Sequence, residues 1–191
     1  MTVHLRPMKT GDAPQVGMMD KECFPTMLPV VDYKVELLNP MAHYLVALDD
    51  GERNAGGNTG PVVQGFAGIW LMAGEAHLIN IAVKKEYRRH GIGELLLIGI
   101  IQVAQRLRAT MITLEVRVSN TAARRLYEKY GFSERGSRRG YYTDNREDAF
   151  IMTLDHPDSV ANENLFSNQR KAYESQWHRD TIIASETADK S

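Results

Sequence analysis

The residues best placed to do chemistry as a group are the basic side chains Lys84, Lys85, Arg88, Arg89 and His90, followed at once by Gly91 and Gly93. They lie between an apolar run, Ile79 to Val83, that reads as a strand, and a run from Ile92 to about Leu107 that reads as an apolar helix. Glycine has no Cβ, so the backbone at 91 and 93 can turn tightly and come close to a ligand. The open N–H groups of a helix start, and the positive end of its dipole, favour an anion there. Basic loop and glycines together suit a phosphate or pyrophosphate. A nucleotide-binding P-loop is excluded, because no Gly-Lys-Ser/Thr ending follows the glycines. A dinucleotide fold would need a third glycine where Leu96 stands, although Glu115 does lie at about the distance of its ribose-binding acid. Lys84 to His90 also separate strand from glycines, and no βαβ unit precedes them. A plain turn in a solvated charged loop is the remaining alternative, since Gly-x-Gly alone is a weak signal.

Other chemistries are poorly supplied. Cys23 is the single cysteine, which excludes a disulfide framework and a multi-thiolate metal site and suits a reduced residue in a reducing compartment. The six histidines never recur at i, i+4, so no metal is expected. A net charge of −1 argues against general nucleic-acid or membrane binding, which leaves the basic patch beside the glycines as a local feature. No signal peptide and no stretch of membrane-spanning length is read, so a cytoplasmic location is expected.

The elements that must position these groups follow from periodicity. Val3 to Pro7 reads as an edge strand, and a helix from Thr10-Gly11-Asp12 places Val16, Met19 and Cys23 on one face before Phe24 and Pro25. Val30 to Leu38 has helical spacing and stops at Asn39-Pro40. Strands follow at Tyr44 to Leu48, Val62 to Met72 and Ala76 to Val83, with a long mobile connection through Gly51 to Pro61 and a turn at Ala73-Gly74-Glu75. Met111 to Val118 alternates: Ile112, Leu114, Val116 and Val118 share one face, Thr113, Glu115 and Arg117 the other. With the preceding strand and helix it forms a βαβ unit, so those two strands are expected parallel. Asn120 is placed to cap a helix ending at Gly131, and Phe132 to Tyr142 with Ala149 to Leu154 make a last strand pair. After Leu154 the chain turns polar. Phe166, Tyr173 and Trp177 fall on one side of a short helix, the last dozen residues look frayed, and a packing extension or a self-association element are the two readings.

Arg88-x-x-Gly91-x-Gly93 after Ile81-Ala82-Val83, then Leu114-Glu115-Val116-Arg117-Val118-Ser119-Asn120 and Leu126-Tyr127-Glu128-Lys129-Tyr130-Gly131-Phe132, resembles the GNAT N-acetyltransferases. Asn80 to Leu154 more narrowly resembles the RimI-type ribosomal-protein alanine N-acetyltransferases. The resemblance implies an α/β fold: a mixed, twisted sheet of about seven strands, antiparallel in its N-terminal half, with a splayed parallel central pair and about four helices. It implies a domain over residues 1–155 with a polar, partly helical or disordered extension over 156–191. It implies acetyl-CoA as co-substrate, without a metal, held by Ile81, Ala82, Val83, Arg88, Arg89, His90, Gly91, Ile92, Gly93, Glu94 and Asn120. Glu94 departs from the basic or small residue common there and sets a negative charge beside the phosphates. It further implies Glu115 as base, acting through a water, Tyr127 as the acid that protonates the CoA sulfur, and Phe24, Pro25, Tyr141 and Tyr142 around the substrate peptide. Glu115 has a plainer alternative as a strand carboxylate paired with Arg117, and Tyr127 as a core aromatic. The partner implied is a protein N-terminus, most simply the N-terminal alanine of a ribosomal protein. The alternatives are an enzyme of broader N-terminal or lysine specificity and a CoA-binding module without turnover; oligomeric state is left open.

Overall fold

The computed structural model describes residues 3–25, 30–49 and 61–183. Its strands are β1 (Val3–Pro7), β2 (Ala42–Asp49), β3 (Val62–Met72), β4 (Glu75–Val83), β5 (Met111–Arg117), β6 (Ser133–Tyr142) and β7 (Glu147–Asp155). Its helices are α1 (Ala13–Cys23), α2 (Tyr33–Glu36), α3 (Ile92–Arg106), α4 (Thr121–Lys129) and α5 (Val160–Trp177). The sheet order is β1-β2-β3-β4-β5-β7-β6. Neighbours run antiparallel except β4 and β5, which are parallel as the βαβ reading requires. The expected mobile connection through Gly51 to Gly60 lies outside the described residues.

Alternation decides which side of each strand is buried. On β5, Ile112, Leu114 and Val116 enter the main core, together with α3, the inner faces of α4 and α5, and β1. Helix α3 is apolar nearly all round and accordingly buried all round, from Ile92 to Ala104. A second cluster on the opposite face joins Val16 and Met19 of α1, Tyr33 of α2, and Val46, Phe66 and Ala82 of the sheet. Tyr33 meets Tyr44 and Phe66 edge-on there and accepts a hydrogen bond from Asn80 Nδ2 at 3.0 Å. The helix expected over Val30 to Leu38 shrinks to the single turn of α2. Asp32 caps it by accepting from the Lys34 N–H; Tyr33 is buried in the second core and Val31 and Leu37 pack partly against it, while Val35 and Leu38 stay exposed and give a longer helix no further support.

Candidate active site

Strands β4 and β5 pair only through Glu75–Met111, Ala76–Ile112 and His77–Thr113. Beyond that point they part. β4 carries a bulge at Ile79, because Gly68 of β3 pairs with Asn80 while Ile69 pairs with Leu78. A bulge bends its strand and deepens the local twist, which carries the end of β4 away from β5. The gap is a cleft of about 610 Å³ whose walls are Leu78 to Ile81 on one side and Leu114 to Arg117 on the other. Strand edges that part in this way leave N–H and C=O groups open to an extended ligand lying between them.

Glu115 lies on the non-core side of β5 and its side chain is only 7% exposed. One carboxylate oxygen meets His77 Nε2 at 2.9 Å and the other Arg138 Nε at 3.0 Å. The His77 hydrogen bond above all, with the Arg138 charge adding to it, holds Glu115 below the ordinary carboxylate range against the opposing effect of burial. Its partner is therefore not Arg117. That guanidinium instead binds Asp144 at 2.8 Å and Glu147 at 3.2 Å and lies 3.8 Å over the Tyr142 ring, tying the β6–β7 turn to the end of β5.

Tyr127 projects from α4 into the same cleft and is buried. Burial pushes its phenol well above the ordinary tyrosine value, with Tyr142 adding to the rise. Asn120 caps α4 by accepting from the Ala123 N–H at 3.2 Å, and it too lines the cleft. Phe24 and Pro25 close one side, joined by Cys23, whose thiol burial pushes upward. Tyr141 and Tyr142, ring to ring at 5.2 Å, close the other. They reach it because β6 bulges between Arg138 and Tyr142, with Gly140 at φ +58.

The expected phosphate loop lies outside this lining, between β4 and α3. Gly91 is the residue before α3, has φ +75 and offers no side-chain cap, so the N–H groups of Ile92, Gly93 and Glu94 are open to a ligand. Arg89 and His90 are exposed beside them. Arg88 folds back to donate from Nε to the Val83 carbonyl at 3.1 Å. Glu94 turns away from the loop, accepting from Lys129 Nζ at 2.5 Å and the Tyr130 hydroxyl at 2.7 Å, which balances its charge. Of the strand residues expected at the ligand, Ile81 lines the cleft. Ala82 packs its side chain into the second core, and Val83 ends β4 where Arg88 meets it.

Sequence reasoning missed His77 and Arg138. In the sequence the histidines bear only on metal binding, and nothing singles out His77. The usable signal is parity: His77 pairs with Thr113, and Glu115 lies two residues on, so both point to one face. Arg138 reaches Glu115 across β7 through bulges that no spacing encodes. Among the described residues no cluster of metal-ligating side chains occurs.

The family model described as acetyltransferase (GNAT) family matches residues 15–132. A putative [ribosomal protein bS18]-alanine N-acetyltransferase of Bacillus subtilis is 38% identical over 149 residues, 78% of this chain and 92% of that protein. The crystal structure of the ribosomal-protein-S18-alanine N-acetyltransferase of Escherichia coli is similar with a TM-score of 0.65 and 31% identity, covering 81% of this chain and 94% of that one. Arabidopsis thaliana NAA60 in complex with acetyl-CoA shares the fold, with a TM-score of 0.71 at 16% identity over 81% of this chain and 98% of that one. The splayed parallel pair, the uncapped glycine start of α3 and these matches agree, and the chain belongs to the GNAT family of acetyltransferases.

Proposed function

We propose that this protein transfers the acetyl group of acetyl-CoA to the N-terminal α-amine of a protein, that of a ribosomal protein beginning with alanine, by direct attack in a ternary complex. The observation that carries the reading is the convergence of Glu115 and Tyr127 on the one cleft that opens where β4 leaves β5. The names of the relatives support the substrate class.

Acetyl-CoA, when bound, supplies an activated acyl group and a thiolate leaving group. The residues fit it: the β4 edge from Leu78 to Ile81 that faces β5 without pairing to it suits an extended pantetheine, and the N–H groups of Ile92, Gly93 and Glu94 suit a pyrophosphate. Glu115, ionised throughout the neutral range, attracts and orients the substrate ammonium and takes its proton through a water as the amine attacks. The demand is small, since an α-amine has a pKa of roughly 7.7–8.0 against about 10.4 for lysine. Tyr127 keeps its proton through the neutral range, gives it to the departing thiolate and regains one from solvent; the upward displacement of its phenol prevents early ionisation and makes the donation itself harder. Phe24, Pro25, Tyr141 and Tyr142 wall the peptide entrance.

The test is thiol release from acetyl-CoA with peptides beginning Ala, Ser and Met-Leu, against an N-acetylated peptide carrying an internal lysine. Turnover is expected with free N-termini, alanine foremost, and Glu115→Gln is expected to slow it by roughly 10²-fold or more. Turnover only with the internal lysine would replace this reading by a lysine acetyltransferase, and CoA binding without any turnover by a binding module.

A further inference from the structure

The 18 residues of α5 are polar overall, yet Phe166, Tyr173 and Trp177 share one side of the helix and turn it onto the molecule. Phe166 and Tyr173 are buried in the main core beside α3 and α4. The Phe166 ring packs 6.3 Å from that of Tyr130, the residue whose hydroxyl binds Glu94 in the first turn of α3. Leu165 sits against Gly131, where a side chain would meet it at 3.2 Å. The helix therefore braces the end of α4 and, through Glu94, the start of α3.

Its last turn reaches the phosphate loop itself. The Trp177 indole lies so close to Gly91 that a Cβ there would fall 2.6 Å from it. At His178 the chain turns in the left-handed region, φ +49, and Arg179 donates to the carbonyl of His90 while lying 5.5 Å over the Trp177 ring. Onward, Thr181 is fully buried and Ile183 bridges to Leu5 of β1, which fastens the segment at its far end. The loop it grips has two left-handed residues in close succession, Arg89 at φ +66 and Gly91 at φ +75. A non-glycine residue is strained in such a conformation and persists there only when its surroundings impose it. The strap formed by Trp177 and Arg179 is what surrounds the loop on this side.

We propose that this C-terminal strap is a positioning element for the co-substrate: Trp177 and Arg179 preset the 88–94 loop in the conformation that binds the pyrophosphate. The inference rests on the reading above, that this loop holds the pyrophosphate of acetyl-CoA. A preset loop spends no ordering entropy on binding, so the strap acts on affinity and not on the acyl transfer, which takes place in the cleft.

The experiment compares wild type with Trp177→Ala, Arg179→Ala and Trp177→Phe. Affinity for CoA is measured by calorimetry, and steady-state rates with acetyl-CoA and with S-acetylpantetheine, a thioester that lacks the pyrophosphate. The two alanine variants are expected to raise the Kd for CoA and the KM for acetyl-CoA roughly tenfold with kcat within about twofold, and to use S-acetylpantetheine as wild type does. Trp177→Phe is expected to restore wild-type affinity, because it keeps an aromatic face on Gly91 and loses no bond: Nε1 of Trp177 has no partner among the described residues. Unchanged CoA affinity in both alanine variants overturns the proposal. So does an equal loss with the two thioesters, which marks a general effect on folding. Failure of wild type to bind CoA overturns the site itself, whereas good binding by wild type and variants alike removes only the strap.

Discussion

Glu115 and Tyr127 have their proton affinities displaced in opposite directions: each keeps the protonation state from which its proposed role starts, while becoming intrinsically weaker as base and as acid. Because Glu115 is ionised well below neutrality and Tyr127 stays protonated well above it, neither should limit the rate between pH 6 and about 10. The rise of kcat/KM with pH should then report the substrate amine, with an apparent pKa of roughly 7.7–8.0 and no descending limb before about pH 10. A pH profile with an alanine peptide checks this, and a descending limb near pH 8.5 would remove Tyr127 as the acid. Tyr127→Phe should lower kcat by roughly 10²–10⁴ with the KM for acetyl-CoA unchanged. The His77 bond to Glu115 has a second readout. A carboxylate held low in the folded state stabilises the fold above its ordinary pKa of about 4.3, and that contribution is lost as pH falls through the lowered value. The stability deficit of His77→Ala should thus be largest near neutral pH and shrink below about pH 4, as followed by urea unfolding at both. Sequence parity places His77 and Glu115 on one face once the β4–β5 register is known, but the register is set by packing, and the histidine alone carries no such label.

At the scale of elements, the cleft depends on the bulge that bends β4, and the bulge depends on Gly68 opposite it. A Cβ on Gly68 would fall 2.0 Å from the Tyr44 ring, which Tyr33 holds edge-on and which therefore has nowhere to swing. Gly68→Ala should cost about 1–3 kcal/mol, a fall in Tm of roughly 2–12 °C for a chain of this size. Calorimetry decides it, and an unchanged Tm would mean that Tyr44 moves aside. The strands, the parallel pair and the cap of α4 are legible because each rests on local pattern: alternation on β5, an α3 apolar nearly all round, Asn120 before the helix and Gly131 at φ +88 after it. What local pattern hides is tertiary. The apolar spacing from Val30 to Leu38 asks for a helix of which one turn forms, with Tyr33 buried but Val35 and Leu38 exposed, while the long polar α5 is a helix because three aromatics on one side find a core.

At the scale of the molecule, that last contrast bears on where the folding unit ends. The Bacillus subtilis relative and the Escherichia coli structure are covered over 92% and 94% of their length by 78% and 81% of this chain, which leaves about a fifth of it outside those two matches. The polar composition after Leu154 and the family resemblance together put a boundary near residue 155. In the structure Phe166, Tyr173 and Ile183 are buried in the same cluster as α3 and the centre of the sheet, with no layer of polar side chains between. Apolar side chains that share one core share its cooperativity, so α5 should unfold with the domain and not before it. Trp177 on α5 and Trp70 on β3 are the chain's two tryptophans. In a Trp70→Phe background, the fluorescence of Trp177 should change at the same temperature as the far-ultraviolet dichroism of the whole chain. Phe166→Ala should lower that shared transition by about 3 kcal/mol, the low end for a buried phenylalanine, without splitting it. A Trp177 transition several degrees below the main one would make α5 a separately melting layer; a coincident one makes the support of the 88–94 loop as stable as the fold.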